Sequence, residues 1–278
     1  MQPLQDTLCI VNGKVATRQQ LPEIAPSWLN VYEVVRAQQQ VVLFAEDHFE
    51  RFCKSLHVAN KPVDIRFSAW HNQLDLVLQA NHMADNNIRI DRYYHADRLI
   101  YDIITPVASK YPDSTQRRTG VTTILQFDER HNPNAKITDL KVRGKANEII
   151  AETGIFETLL VNHSKEITEG SRSNFFAIRH NKLITAPDHM VLQGIMRKKL
   201  LEICHSLMIE IELRPIRIDE LNDIDGAFLT GTSPRVLAVS SIDKIRLSPS
   251  HPIIVQLYNA IEKLVENYIQ KVLGCQSV

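Results

Sequence analysis

Two α/β domains in one chain form the fold class that this sequence predicts, and three observations predict it. The first half sets two helix-period apolar patterns among alternating strand patterns. The second half alternates strand and helix. A polar stretch carrying Pro112, Asp113, Ser114 and the paired Arg117 and Arg118 separates the halves. The expected division is a small N-terminal α/β domain over 1–110, a linker over 111–120 and a larger C-terminal α/β domain over 121–278. A cleft between two such domains is a common place for a cofactor.

Cys9 to Ala16 reads as a hairpin around Asn12-Gly13. Strands are expected from Val31 to Arg36 and from Val41 to Phe44, joined by a Gln-rich turn. Phe49, Phe52, Cys53 and Leu56 recur at helical spacing and predict a helix from Glu46 to Val58. Trp70, Leu74, Val77 and Leu78 predict another from Phe67 to His82. Alternation predicts strands from Asn87 to Tyr94 and from Arg98 to Val107. Further strands are expected from Val121 to Phe127, Glu157 to Val161, Asn174 to Ile178, Ile209 to Leu213, Ala227 to Thr230 and Val236 to Ser240. Helices are expected from Ile137 to Thr153, Gly194 to Met208 and His251 to Val272. The last shows Ile254, Leu257, Ile261, Leu264, Tyr268 and Val272 as one apolar stripe.

The 278 residues carry 32 basic and 32 acidic side chains with no long run of one sign, which argues against a nucleic-acid or membrane-surface partner. No basic stretch followed by an apolar core opens the chain, and no apolar run reaches spanning length, so neither a signal peptide nor a membrane helix is expected. The four cysteines, Cys9, Cys53, Cys204 and Cys275, are scattered without metal-type pairing. The expectation is a cytoplasmic globular protein with reduced thiols and no metal.

Three turns carry the chemistry. Glu169-Gly170-Ser171-Arg172-Ser173-Asn174 sets an acid ahead of a Gly/Ser turn that runs into a strand. Leu192-Gln193-Gly194-Ile195-Met196-Arg197 opens a helix, whose free N–H groups suit an anion. Thr230-Gly231-Thr232-Ser233 ends an apolar strand with further hydroxyl donors. Lys136, Lys141 and Lys145 all precede Glu169, and periodicity does not separate them. Arg51 follows His48 by three, so both share a helix face. Tyr32, Val34 and Arg36 alternate onto one face of their strand. Taken singly, each feature reads equally as a surface turn, a solvated cation or core packing.

Taken together and in this order, the three turns resemble those of the class IV aminotransferases. These pyridoxal 5'-phosphate (PLP) enzymes include branched-chain and D-amino acid aminotransferases and aminodeoxychorismate lyase. The resemblance runs from about Asn30 to Ser241. It implies a two-domain class IV aminotransferase-like fold with PLP in the interdomain cleft. It also implies a Schiff-base lysine a little over thirty residues before the Glu. Lys136 stands 33 before Glu169, against 28 for Lys141 and 24 for Lys145, so the resemblance selects Lys136. Glu169 would face the pyridine nitrogen and keep it protonated. Gly194, Ile195, Met196, Thr232, Ser233 and Arg51 would hold the phosphate, with Ser173 and Asn174 on the cofactor-binding turn and Leu192 packed on the ring. Tyr32, Val34 and Arg36 would face the substrate.

The sequence also departs from the family pattern. Leu140 and Lys141 stand where the family often has Asn-Tyr, which keeps Lys141 as a rival. Pro26-Ser27-Trp28-Leu29-Asn30 replaces a Gly-rich segment, and the Arg-x-His that reads the carboxylate in D-amino acid aminotransferases is missing from Ile104 to Pro112. The leading expectation is amino transfer between an amino acid, of branched-chain or D-amino acid type, and a 2-keto acid, in a homodimer. An aminodeoxychorismate lyase releasing pyruvate and 4-aminobenzoate is the alternative: Met196 favours it, and Val34 opposes it. A non-catalytic binding module of the same fold is the third reading.

Overall fold

The structure, a computed structural model, describes residues 7–108 and 111–276. Two compact units divide the chain. Residues 7–108, 135–138 and 265–276 belong to the first, and residues 111–134 and 139–264 to the second.

The first unit opens with a hairpin of β1 (Leu8–Val11) and β2 (Lys14–Thr17). Asn12 and Gly13 take φ of 48° and 77°, the left-handed pair that a two-residue hairpin turn requires. Then come β3 (Leu29–Gln38), β4 (Val41–Val42), α1 (Ala45–Val58), α2 (Phe67–Ala80), β5 (Asn86–His95) and β6 (Arg98–Val107). The strands make one six-stranded sheet in the order β2-β1-β6-β5-β3-β4, antiparallel throughout. The face of β3 carrying Val31 and Val35 packs in a core with Phe52 and Leu56 of α1 and Trp70, Leu74, Val77 and Leu78 of α2. The whole predicted stripe of α2 is therefore buried.

The second unit contains α3 (Ser114–Thr119), β7 (Val121–Phe127), α4 (Leu140–Thr153), β8 (Glu157–Val161) and β9 (Glu166–Gly170). It continues with β10 (Asn174–Arg179), β11 (Lys182–Thr185), α5 (Ile195–Ser206), β12 (Ile211–Leu213) and β13 (Ile216–Arg217). Next are β14 (Gly226–Gly231), β15 (Arg235–Ile242), β16 (Ile245–Arg246) and the part of α6 (Pro252–Gln276) up to Leu264. The sheet has ten strands, with the path β12-β11-β10-β14-β15-β7-β8-β9-β13 and β16 on β15. The pairs β11–β12, β15–β7 and β7–β8 are parallel and the rest antiparallel. Phe175, Ala177, Leu229, Leu237 and Val239 lie in its core.

Several elements differ from expectation. α4 starts at Leu140 rather than Ile137, because the Asp139 side chain caps it by accepting from the Val142 N–H at 3.0 Å. It ends where predicted, on Gly154 at φ 72°. The expected linker over 111–120 holds α3, started by a capping box between Asp113 and Gln116. It groups with the second unit, and the Lys136 segment groups with the first. Strands β9, β11, β13 and β16 have no counterpart in the sequence reading. Each is five residues or fewer, too short for a period-two pattern to stand out. Along α6 the fully buried stripe runs Ile254, Leu257, Ile261, Val265, Ile269, while Leu264, Tyr268 and Val272 flank it half-buried.

Cys9 and Cys204 are buried, Cys53 is half-buried and Cys275 exposed, all as free thiols. Among the described residues no helix is long and apolar enough to cross a membrane, and no group of three or more His, Cys, Asp or Glu could hold a metal ion.

Candidate active site

In the first unit, strand alternation sends Glu33 to the opposite face of β3 from Tyr32, where α1 meets it. Glu33 is fully buried. Arg51 donates from Nε to Oε2 at 2.9 Å and from Nη2 to Oε1 at 2.6 Å. His48 Nδ1 lies 3.3 Å from Oε1, and the Val34 N–H donates to the same oxygen at 2.8 Å. Burial by itself would push the Glu33 carboxyl up. The charges of Arg51 and Lys136 and the hydrogen bond and charge of His48 outweigh it and hold the group far below the usual carboxylate range. Burial pushes His48 down, and the pull of Glu33 does not reverse that. The sequence reading gave Glu33 no role. Its available signal was an acid inside the apolar run Val31 to Val35, followed by a helix with His-x-x-Arg.

The same helix face carries Ser55 one turn on from Arg51. Ser55 Oγ donates to the Arg51 carbonyl at 2.9 Å and accepts from the Lys136 N–H at 3.0 Å. The Lys136 carbonyl accepts from the Tyr32 N–H at 2.9 Å. Ile137 bridges to Val31, and the Thr138 N–H donates to the Asn30 carbonyl at 3.0 Å. Lys136 thus stands on an extended segment fastened to β3 and α1, not on a helix. Its Nζ lies 5.1 Å from the centre of the Tyr32 ring. Lys141 and Lys145 are exposed on α4, and Lys145 pairs with Asp128 at 2.8 Å.

Arg89 of β5 also covers the Tyr32 ring, its guanidinium carbon 4.2 Å from the centroid. Asp91 takes its Nε and Nη2 at 2.7 Å each, and the Asn30 Oδ1 accepts from Nη2 at 3.2 Å. The β3–β5 register sets Tyr32 opposite Asp91 and Val34 opposite Arg89, so all four share one face of the sheet. Arg89 was missed because no local pattern marks it; only the strand pairing brings it to Tyr32. Val34 is buried on that face, and Arg36 is half-buried two residues on.

In the second unit Glu169 lies at the end of β9, 2% exposed, where a surface turn was an open reading. Its Oε1 is 3.1 Å from Arg130 Nε, and its Oε2 accepts from the Leu192 N–H at 3.2 Å. Arg130 and Arg143 also donate to the Ser171 carbonyl, at 2.7 and 2.9 Å. Buried Glu157 holds the turn from its other side. It accepts from Ser171 Oγ at 2.6 Å, Ser173 Oγ at 3.1 Å and the Arg172 N–H at 3.1 Å. The Ser173 hydroxyl is thereby committed to Glu157.

Asn174 donates from Nδ2 to the Leu192 carbonyl at 2.8 Å, so backbone atoms of half-buried Leu192 meet both Glu169 and Asn174. Gly194 is the N-cap of α5 and no side chain caps that helix end. A Cβ on Gly194 would fall 2.1 Å from Asn174 Oδ1. Ile195 and Met196 of the first turn are buried. Thr232 and Ser233 lie half-buried in the turn between β14 and β15. Thr230, in register with Asn174, has a fully buried hydroxyl with no partner among the described residues.

The first unit offers a lysine fastened by its backbone, and the second offers a buried carboxylate backed by an arginine, an uncapped helix start and the half-buried threonine and serine of a turn, each a kind of donor that PLP takes up. The residues present fit that group. Such parts are those of a PLP-binding enzyme. The sequence model of the amino-transferase class IV family matches residues 30–242, and the chain belongs to that family. It is 28% identical to a probable branched-chain-amino-acid aminotransferase of Aquifex aeolicus, over 86% of this chain and 85% of that one. It is also 28% identical to a D-alanine aminotransferase of Bacillus licheniformis, over 77% of this chain and 78% of that one. A branched-chain aminotransferase from Thermoproteus uzoniensis, solved with norvaline, has the same fold at a TM-score of 0.83 and 21% identity, over 96% of this chain and 97% of that one. The chain is an enzyme, a PLP-dependent aminotransferase.

Proposed function

We propose that this enzyme moves the amino group of an aliphatic amino acid to a 2-keto acid, with Lys136 as its catalytic residue. The observation that carries this reading is the Tyr32 ring, which has the Lys136 ammonium on it at 5.1 Å and the Arg89 guanidinium at 4.2 Å. One cation is the proton carrier, and the other is the anchor for the substrate carboxylate. PLP, when bound, supplies the electron sink that stabilises a carbanion at the substrate Cα.

Lys136 then carries the proton from that carbon, as base and afterwards as acid. Glu169 holds a negative charge for the pyridine nitrogen, and Arg130 fixes its orientation. The first turn of α5, from Gly194 through Ile195 to Met196, holds the phosphate together with Thr232 and Ser233. Arg51 adds positive charge while locked to Glu33. Ser173 and Asn174 shape the cofactor turn, and Leu192 covers the ring. Tyr32, Val34 and Arg36 line the substrate face, where the valine suits an aliphatic side chain. The working form is a homodimer, and its compartment is the cytoplasm.

Absorption spectra of the purified protein, before and after adding single L- or D-amino acids, test this directly. Loss of the cofactor's visible band with aliphatic donors, and its return with a 2-keto acid, supports amino transfer. No cofactor band after addition of PLP sinks it. Arg89→Met should raise KM for the donor at least tenfold with a smaller change in kcat, as loss of a carboxylate anchor requires. A second reading, aminodeoxychorismate cleavage, is favoured by Met196, buried at the start of α5. Release of pyruvate from aminodeoxychorismate without an amino acceptor would decide for it.

A further inference from the structure

The second unit contains a cavity of about 380 Å³ among α3, β15 and α6, a size that accepts a small organic ligand. Its walls are mostly apolar. Val236 and Ala238 come from β15, and Ile254 and Tyr258 from α6; the first three are buried. Two arginines of α3, Arg117 and Arg118, also line it, and no carboxylate side chain is among the lining residues. Arg117 lays its guanidinium against the Tyr258 ring, 5.6 Å from the centroid. A cation–π contact does not use up the N–H donors of a guanidinium. The Nη1 of Arg117 is buried and has no hydrogen-bond partner among the described residues. A buried donor without a partner is a destabilising arrangement that a bound acceptor relieves.

We infer that this cavity binds a small monocarboxylate with an aliphatic body, the carboxylate on Arg117 and the body against Val236, Ala238 and Ile254. The sign of the charge follows from the two arginines. The aliphatic body follows from the walls. None of these residues is assigned to amino transfer, so the inference stands independently of the proposed substrate.

The test is calorimetric titration of the PLP-saturated Arg89→Met variant, which lacks the proposed carboxylate anchor of the substrate site, with 4-methylpentanoate and with its uncharged amide. Expected is saturable binding of the acid and at least tenfold weaker binding of the amide. Arg117→Met should weaken the acid by tenfold or more. Val255→Glu places a negative charge at the rim, on a residue 48% exposed, where the fold tolerates it; it too should weaken binding. It decides the matter if Arg117→Met fails to fold. Absence of saturable binding, equal binding of acid and amide, or binding that the folded variants leave unchanged would each overturn the inference.

Discussion

Arg130 sets its Nε 3.1 Å from Oε1 of Glu169 and its Nη2 2.7 Å from the Ser171 carbonyl, tying the carboxylate to its own turn. Arg130 on Oε1 and the Leu192 N–H on Oε2 together set the direction of Glu169. Glu169→Gln should lower kcat on the order of 100-fold, the scale of losing one preorganised electrostatic partner. Arg130→Met should lower it by a smaller factor. Because both act through one carboxylate, the double variant should fall well short of the product of the two losses. Steady-state kinetics of the three variants measure this, and independent effects would show that Arg130 does not act through Glu169.

Lys136 and Lys141 are separated by their surroundings. The first is half-buried beside Tyr32 and Glu33, and the second is exposed on α4. Borohydride reduction of the PLP-loaded enzyme, followed by peptide mass mapping, should find the cofactor on Lys136. Lys136→Ala should abolish turnover, and Lys141→Ala should leave it within about twofold. Label on Lys141 would reverse the assignment.

Glu33 makes stability depend on pH. Its folded carboxyl titrates far below the ordinary value of 4.5, so its contribution is full above that value and is lost as pH falls below it. His48 acts in the same direction from higher pH. Its folded value is below the ordinary 6.5, so burying it neutral is increasingly opposed as pH drops through that value. Urea midpoints measured from pH 7 to pH 3 should therefore fall progressively. Glu33→Gln should cost about 3–5 kcal/mol at pH 7, because it strands the Arg51 charge in the interior. It should also flatten the acid limb of the curve. An unchanged acid limb would show that Glu33 is not the group responsible.

Gly194 has φ of −63°, which any residue adopts, so its requirement for glycine is purely steric. A methyl group there would meet Asn174 Oδ1 at 2.1 Å. Gly194→Ala should displace Asn174 from the Leu192 carbonyl and disturb the start of α5. The PLP dissociation constant, from fluorescence titration, should rise about tenfold or more, equivalent to about 1.4 kcal/mol. Unaltered affinity would remove the α5 start from the phosphate site.

Much of this protein was legible in its sequence, because the signals concerned are local. The Asn12-Gly13 turn, the buried stripe of α2 and the glycine that ends α4 each follow from a few adjacent residues and the period of one element. The order of the three turns sufficed for the class IV resemblance. Other features depended on which segments meet. Lys136 sits on an extended segment only because Ser55, Tyr32 and Val31 hold its backbone there, and Asp139 delays the helix. Arg89 reaches Tyr32 only through the register of β3 on β5. Glu33 and Glu157 became organising carboxylates because the tertiary structure buries them among donors. The sequence alone determined most of the longer elements and the family, since propensity and turn chemistry act within a few residues. The tertiary structure alone decided which distant charges meet, as Arg130 meets Glu169 and Arg51 meets Glu33, since no local pattern records such pairs.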